Sequence, residues 1–291
     1  MPPDFVGTGT SRLFVRDIGR GLPIVVVHGG PDFDHRYLVP EMDRLAESFR
    51  LVYYDQRGRG RSFSGTRPPG VTMATEVDDL DRVRQWSGAA SIVVLGHSWG
   101  ALLAMEYAIR HPGRVSHLIL MNPAPASRVD ALAFRDELAR RRTTEQTERM
   151  EQLRADPRFA AGDIGIEAEY YRLHYGTTLR DPERLDAVVR RLRSAFTAEG
   201  ILAAREVEDG LYEDSWSRDG YDLLPALRRI DIPTLVIRGE DDFVPPAVVQ
   251  HIAEAIHGAR VVELSGCGHF AYIEQPDRSF GAITEFLTGA P

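Results

Sequence analysis

Six short apolar runs alternate with helix-like segments, and this alternation limits the folds open to the chain more than any other feature. The runs are Pro23 to Val27, Leu51 to Tyr54, Ser91 to Leu95, Leu118 to Met121, Thr234 to Ile237 and Arg260 to Leu264. The helix-like segments are Tyr37 to Ser48, Met73 to Trp86, Ala101 to Arg110, Ala247 to Ile256 and Asp277 to Leu287. A continuous apolar run is typical of a strand buried on both faces. The alternation therefore predicts an α/β fold with a mostly parallel sheet and helices on both faces.

The middle of the chain has a different pattern. From about Ala124 to Ile230 no run resembles a buried strand, while Val129 to Arg142 and Pro182 to Thr197 have helical patterns. Because this stretch lies between two predicted strands, we interpret residues 124–230 as an inserted helical cap. Such a cap would cover the carboxyl ends of the strands, where open α/β sheets bind ligands. Residues 1–123 and 231–291 would form the core. The alternative is a separate helical domain with a partner of its own.

A Gly-x-Ser-x-Gly pentapeptide occupies residues 96–100, between a predicted strand and a predicted helix. The pentapeptide alone is a weak signal, so this context carries the argument. In a tight strand-to-helix turn, the residues two before and two after the serine approach each other closely, which favours glycine at both. The turn lifts the Ser98 hydroxyl above the sheet and aims the first amides of the helix at a developing oxyanion. Ser98 is therefore the candidate nucleophile, and an ordinary glycine-rich turn is the alternative.

A serine nucleophile needs a base and an acid that orients the base. In folds with this kind of turn, the acid and then the histidine follow the serine along the chain. An acidic loop, Glu240 to Pro245, follows one predicted strand, and His269 follows the next. Both positions lie at carboxyl ends of strands, which meet at one edge of a parallel sheet. We expect His269 to be the base and an acid of this loop to be its partner.

Four motifs in this order resemble the proline iminopeptidase group of α/β-hydrolases. They are His28-Gly29-Gly30-Pro31, Asp55-Gln56-Arg57-Gly58-x-Gly60-x-Ser62, Gly96-His97-Ser98-Trp99-Gly100 and Gly268-His269. The resemblance implies the α/β-hydrolase fold and an oxyanion hole made by the backbone N–H groups of Gly30 and Trp99. It also implies an acid three positions after Gly239, which is Asp242. Asp241 is the alternative acid.

The chain departs from the family pattern at two positions. Asp32 follows Pro31 where the family usually has a glycine, and His97 stands in an elbow position that is commonly glycine. A carboxylate at Asp32, beside the oxyanion loop, could alter the charge of the pocket. We expect His97 to be a structural hydrogen-bonding residue.

Two further polar groups allow a functional interpretation beside a structural one. The arginines Arg57, Arg59 and Arg61 brace a loop in the resembled family, but they could also hold an anionic substrate. A set of conceivable metal ligands comprises His28, Asp32, Asp34 and His35. No second cluster has matching spacing, and a serine triad makes a metal redundant. We therefore expect no metal and no cofactor.

The substrate depends on the cap. The resembled group removes an N-terminal proline and uses cap carboxylates to bind the free amino group. In this chain an acidic stretch precedes Trp216 and contains Glu206, Glu208, Asp209, Glu213 and Asp214. We take Glu206, Glu208, Glu213 and Tyr171 as candidate substrate-binding residues, with a solvated helix face as the alternative. The neighbours Tyr170, His174 and Tyr175 either line the same pocket or pack the cap on the core.

Composition restricts the partners and the compartment. A net charge of −8 argues against a nucleic-acid surface and against docking on anionic lipid. The single cysteine, Cys267, excludes an intrachain disulfide, and no run approaches the ~20 apolar residues of a membrane span. With no signal peptide expected, the sequence predicts a cytoplasmic protein that acts on a small-molecule or short-peptide substrate.

Three functions agree with these features. The first is a proline-iminopeptidase-like aminopeptidase or amidase that works through an acyl-enzyme intermediate. The second is a carboxylesterase or lactonase with an apolar acyl pocket and no need for an amine. The third is a hydrolase-fold binding protein without turnover, which a complete triad disfavours because binding alone requires no such set of residues. The sequence does not indicate an oligomeric state.

Overall fold

A computed structural model describes residues 4–7, 12–65, 70–179 and 181–289 of the chain. Its described strands form one eight-stranded sheet. They are β1 (Asp4–Gly7), β2 (Arg12–Gly19), β3 (Pro23–Val27), β4 (Arg50–Tyr54), β5 (Ile92–His97), β6 (Val115–Met121), β7 (Thr234–Gly239) and β8 (Arg260–Leu264). The order across the sheet is β1-β2-β4-β3-β5-β6-β7-β8; β1 and β2 are antiparallel at one edge, and the other six strands are parallel. The predicted α/β class with a mostly parallel sheet is confirmed.

The central strands are buried in the way that their continuous apolar sequences predict. Every residue of β5 and of β7 is buried. Because successive side chains of a strand point to opposite faces, both faces of the sheet are covered at these strands. The edge strand β8 differs, since Leu264 is its one buried residue. The apolar sequence of β8 therefore predicts a strand correctly, but this strand is not buried on both faces of the sheet.

Helices surround this sheet. The described ones are α1 (Met73–Ser87), α2 (Trp99–Arg110), α3 (Arg128–Arg141), α4 (Thr144–Ala155), α5 (Pro157–Ala160), α6 (Ile164–Tyr175), α7 (Pro182–Leu192), α8 (Ala198–Asp214), α9 (Leu224–Leu227), α10 (Pro246–Ala255), α11 (Ala271–Glu274) and α12 (Pro276–Thr288). Helix α2 packs against β3, β5 and β6, while α10, α11 and α12 pack against β7. Within the described residues, no helix combines the length and the apolar character needed to cross a membrane.

Two parts of the fold differ from the expectation. The helix predicted over Tyr37 to Ser48 is instead two 3₁₀ helices, His35–Leu38 and Glu41–Glu47, on either side of Pro40. Proline lacks a backbone N–H and constrains the residue before it, so a continuous α-helix cannot pass through this position. The antiparallel pair β1 and β2 was not predicted, because β2 is only partly buried and has no continuous apolar run.

The segment between β6 and β7 is helical in its described residues, from α3 to α9. Apart from these helices, it has one isolated bridge, between Ser127 and Asp222. The helix predicted over Pro182 to Thr197 ends at Leu192. Apolar side chains from this segment, such as Leu211 and Trp216, belong to the same buried cluster as the sheet. The division into a core of 1–123 and 231–291 and a cap of 124–230 stays a prediction.

Candidate active site

The turn between β5 and α2 has the strained geometry expected of a nucleophile elbow. Ser98 has a φ of 56° and a ψ of −121°, which a residue with a side chain rarely adopts. A Cβ on Gly96 would lie 2.2 Å from the carbonyl oxygen of Gly100, and a Cβ on Gly100 would lie 2.1 Å from that of Val27. Both glycines are therefore required sterically. This turn places the Ser98 hydroxyl at the carboxyl edge of the sheet.

Ser98 lies in line with a histidine and an aspartate. The Oγ of Ser98 is 2.9 Å from Nε2 of His269, and Nδ1 of His269 is 2.9 Å from Oδ1 of Asp242. His269 and Asp242 are buried, at 2% and 0% exposure. The backbone N–H of Val244 donates to Oδ1 of Asp242, and the side chain of Asn122 donates to its Oδ2. These three side chains have the spacing of an acid, a base and a nucleophile.

The environment of Asp242 keeps its carboxylate charged. Burial alone would raise the pKa of Asp242, but the positive potential of His269 and the hydrogen bonds from His269, Asn122 and Val244 lower it below its usual value. A fixed anion at this position would orient the imidazole and stabilise its protonated form. The structure thus places Asp242, and not Asp241, against His269. Asp241 contributes backbone contacts, including a 2.8 Å hydrogen bond from its N–H to the carbonyl oxygen of Cys267.

Two residues that support the acid were missed from the sequence. Asn122 directly follows β6 and has a φ of 47°, and its side chain also donates to the carbonyl oxygen of Gly268. Arg141, at the end of α3, donates to the backbone carbonyl oxygens of Asp241 and Asp242, each at 2.7 Å. The position of Asn122 after a central strand was a usable signal. No local pattern indicates this role of Arg141, because its partners in the acid loop lie about 100 residues away.

The two residues predicted to form the oxyanion hole lie beside Ser98. Gly30 has a φ of 112°, and a Cβ there would lie 2.5 Å from the backbone nitrogen of Phe33. Trp99 is the first residue of α2, where a helix leaves its N–H groups unpaired. Gly30, Ser98 and Trp99 all line one cavity of about 560 Å³. Two amides beside a serine hydroxyl can stabilise negative charge on an attacked carbonyl.

His97, in the nucleophile elbow, is linked by hydrogen bonds to His269 and, through Tyr37, to the loop that contains Gly29. Burial, and to a lesser extent the nearby His269, lower the pKa of His97 to about 3, so the ring is neutral. Its Nε2 lies 2.9 Å from the carbonyl oxygen of His269, which can only accept, so Nε2 donates. Its Nδ1 then accepts from the hydroxyl of Tyr37 at 2.8 Å, and that hydroxyl accepts from the N–H of Gly29. The predicted structural role of His97 is confirmed.

Asp32 is neutralised inside the protein rather than left as a bare charge in the pocket. Its carboxylate accepts from the hydroxyl of Tyr171 at 2.7 Å and from the guanidinium of Arg193. Arg193 is 3% exposed and also pairs with Glu167, which in turn pairs with Arg205. Removing a charge from such a buried network leaves its partner uncompensated, which is costly. Arg193 was missed because it lies 161 residues from Asp32.

Of the acidic residues predicted to bind substrate, only some face the cavity. Glu208 and its neighbour Asp209 line it, as does Tyr171, whereas Glu206 and Glu213 are exposed and do not. The structure therefore does not bring Glu206 and Glu213, two of the predicted substrate-binding residues, into this cavity. Helix α8 turns about 100° per residue, so positions two and five away from Glu208 lie on other faces. The aromatic neighbours Tyr170, His174 and Tyr175 line the cavity as well.

The arginines of the second motif lie outside this cavity. Of the conceivable metal ligands, Asp32 lines it, whereas His28, Asp34 and His35 do not. Arg57 pairs with Asp79 at 2.6 Å, and Arg59 pairs with Glu76 at 2.8 Å, both deep in the protein. These pairs favour the structural interpretation of the motif over the binding of an anionic substrate. Among the conceivable ligands, Asp34 and His35 lie with Asp55 in a buried group whose ligand atoms are within 4.8 Å of one another.

Comparison with known proteins agrees with this geometry. Residues 23–276 match the family described as alpha/beta hydrolase fold. The proline iminopeptidase PfmaB of Pestalotiopsis fici is 29% identical, with 94% of this chain and 95% of that protein covered. The solved proline iminopeptidase of Mycobacterium smegmatis is 25% identical, with a TM-score of 0.74 and coverage of 99% and 98%. A thermophilic esterase from Thermogutta terrifontis is 26% identical, with a TM-score of 0.71 and coverage of 98% and 97%.

Proposed function

The chain belongs to the alpha/beta hydrolase fold family and is a hydrolase, and from this premise we propose that Ser98, His269 and Asp242 form a catalytic triad. The observation that carries the proposal is the continuous line of two 2.9 Å contacts from Oγ of Ser98 through the His269 ring to Asp242. Relatives that are named as enzymes favour turnover over the binding-only alternative.

The proposed reaction has two steps. His269 takes the proton of Ser98 as the hydroxyl attacks the substrate carbonyl, and the N–H groups of Gly30 and Trp99 stabilise the oxyanion. Protonated His269 then gives this proton to the leaving group as the carbonyl bond to it breaks, which leaves an acyl group on Ser98. In the second step a water molecule, deprotonated by His269, attacks the acyl group and releases the acid. Asp242 remains ionised throughout and holds the imidazole.

We further propose that the substrate class is that of a proline-iminopeptidase-like aminopeptidase. Support comes from Glu208, which lines the cavity and has no ion-pair partner among the described residues. Its carboxylate accepts a 2.9 Å hydrogen bond from Tyr212. Arg193 and Arg205 already balance Asp32 and Glu167, so an ionised Glu208, together with Asp209, supplies excess negative charge to this side of the cavity. A substrate ammonium group would neutralise it.

The first test removes the substrate's charge without touching the scissile bond. N-acetylation of a prolyl arylamide is expected to lower kcat/KM by about 30-fold to several-thousand-fold, because losing a hydrogen-bonded charge partner costs ~2–5 kcal/mol. Glu208→Gln should give a similar loss on the free-amine substrate alone. Glu206→Gln and Glu213→Gln are matched controls on the same helix and should change little. Equal kcat/KM for the free and acetylated substrates would refute amine recognition.

The second test uses pH. Burial and the neighbouring Asp32 raise the pKa of Glu208 to about 8. Below that pH the free enzyme has a neutral Glu208, which cannot pair with an ammonium group. Because kcat/KM reports ionisations of the free enzyme, the profile for a prolyl arylamide should rise through a limb centred near pH 8. Glu208→Gln should lack this limb, and an unchanged limb in the variant would assign it to another group.

A carboxylesterase is the second candidate, and two observations favour it. The Thermogutta esterase, at 26% identity, is about as similar to this chain as the solved Mycobacterium smegmatis iminopeptidase, at 25%. The cavity wall is also rich in aromatic side chains, including Phe33, Tyr175, Trp216 and Phe243, which suit an apolar acyl group. For this candidate, acetylation of the prolyl substrate should be neutral or favourable. Faster turnover of p-nitrophenyl butyrate than of either prolyl substrate would then decide for the esterase.

A further inference from the structure

The cavity has a basic wall as well as an acidic one. Three arginines line it together with Ser98, and we refer to Arg135, Arg142 and Arg154 as the arginine group. They come from α3, from the residue after α3 and from α4. Among the described residues, no carboxylate lies within ion-pair distance of any of them. The wall therefore has a positive charge that the protein does not neutralise locally.

Neighbouring arginines on the same two helices behave differently. Arg140 and Arg141 both pair with Glu137, at 2.7 and 2.6 Å, and Arg149 pairs with Glu169 at 2.7 Å. The arginines of this region that face away from the cavity thus have acidic partners, whereas those that face the cavity have none. A random distribution of surface charges would not be expected to leave unpaired only the arginines of this region that line the cavity. A binding site for an anion needs such unpaired arginines.

Arg142 is the most constrained member of the group. One of its terminal nitrogens is 2.9 Å from Nδ1 of His174, and its Nε is buried without a hydrogen-bond partner. Burial, together with the positive charge of Arg154, lowers the pKa of Arg142 below its usual value. A partly buried cation with an unsatisfied donor is unfavourable unless an anion compensates it. A bound carboxylate would accept these donors.

His174 adds a neutral donor and fixes the place of the group. Because Nδ1 of His174 accepts from Arg142, the ring proton is on Nε2, and burial lowers the pKa of His174 to about 3. Its ring contacts Phe243, with centroids 5.5 Å apart, and Phe243 stacks on His269 at 4.2 Å. Arg142 therefore lies on the side of the cavity next to His269. The charges that act on Glu208 come instead from Asp32, Arg193 and Asp209.

From this arrangement we propose that the arginine group binds a carboxylate on the leaving group of the substrate. His269 protonates the leaving group, so groups beside His269 face that part of the substrate. Combined with an ammonium group at Glu208, the preferred peptide is a dipeptide with a free carboxyl terminus. This inference rests on the proposed function for the position of the scissile bond. An ester whose alcohol or phenol carries a carboxylate has the same charge in the same place.

Paired substrates test the proposal by kinetics. Prolyl-alanine and prolyl-alaninamide share the amine and the scissile bond and differ in the terminal charge. We expect the wild type to prefer the free carboxylate by about 10- to 100-fold in kcat/KM, as expected for hydrogen bonds to a charged group. The esters 4-carboxyphenyl butyrate and 4-carbamoylphenyl butyrate form the matching pair for an esterase. A ratio near one for the pair that the enzyme turns over would overturn the proposal.

Variants assign the preference to the arginine group. Arg142→Gln should reduce the ratio to near one, mainly through a lower kcat/KM for the member of the pair that carries the free carboxylate. Arg135→Gln, at an exposed position, should lower the ratio in the same direction. Arg140→Gln is the matched control on α3 and should keep the wild-type ratio. If Arg140→Gln lowers the ratio as much as Arg142→Gln, the preference comes from overall charge and the proposal is wrong.

A binding measurement separates this proposal from the proposed reaction. In the Ser98→Ala background, calorimetry should show tighter binding of prolyl-alanine than of its amide, or of the carboxyphenyl ester than of the carbamoylphenyl ester. This preference should disappear when Arg142→Gln is added. If this binding preference is retained in Ser98→Ala but the wild type turns over none of the four compounds, the peptidase or esterase assignment alone is contradicted. Equal affinity within each pair, or no binding of any of the four compounds at millimolar concentration, would overturn the carboxylate site.

Discussion

Replacing Ser98 with alanine is expected to lower kcat by on the order of 10⁴- to 10⁶-fold, the range seen when a triad nucleophile is removed. The loss follows because, among the described residues, no hydroxyl other than that of Ser98 forms a hydrogen bond with Nε2 of His269. The melting temperature should stay within a few degrees, since alanine keeps the turn and removes one oxygen. Turnover would be followed with p-nitrophenyl butyrate and a prolyl arylamide.

The control for this variant is Ser194→Ala, at an exposed serine outside the cavity. It should have wild-type kinetics on both substrates. More than a few per cent of the wild-type kcat in the Ser98→Ala protein, after its purity is verified by mass, would contradict a serine mechanism. A large drop in melting temperature would instead show that the variant tests folding and not chemistry.

The second large effect is expected from Asp242→Asn, which should lower kcat by on the order of 10⁴-fold. An asparagine amide that donates to Nδ1 would force the proton of His269 onto Nε2, where the lone pair is needed to accept from Ser98. Asp241→Asn should cost less than about tenfold, because its contacts to Cys267, Arg141 and Thr178 are made by the backbone. Comparison of kcat for the two variants, with their melting temperatures as a control for folding, decides which aspartate orients His269.

The adjacent aspartates make this a sharp comparison. Both residues have the same charge and neighbouring positions, and they differ in which side chain contacts His269. Greater damage from Asp241→Asn than from Asp242→Asn would show that the acid was assigned to the wrong residue of the loop. If both variants lose only a little of the wild-type kcat, the imidazole of His269 does not need a fixed anion for turnover.

Features governed by local sequence were predicted well. The elbow could be located because the steric demand for Gly96 and Gly100 lies within five residues. Strands β3, β5 and β7 were found because a parallel strand buried on both faces must be apolar throughout. Local sequence also showed that an acid of the loop after β7 and His269 would come together, since both follow parallel strands at one edge of the sheet.

Features that depend on the rotation of a helix about its axis, or on contacts between residues far apart in the chain, were not predicted. Glu206, Glu208 and Glu213 have similar sequence surroundings, and only the rotation of α8 against the sheet decides which faces the cavity. The interactions of Arg193 with Asp32 and of Arg141 with the acid loop join segments more than 90 residues apart. No periodicity or motif encodes such pairs. The break of the predicted helix at Pro40, by contrast, was readable from the sequence.

The central claim, that Ser98 is a covalent nucleophile in a triad, is tested most directly with a fluorophosphonate. Incubation of the intact protein with the probe should add one label per chain, as measured by mass spectrometry of the whole protein. Digestion should place that label on the peptide that contains Ser98, the Ser98→Ala protein should remain unlabelled, and Asp242→Asn should react far more slowly. Equal labelling of the wild type and Ser98→Ala, or a label on another residue, would contradict the assignment.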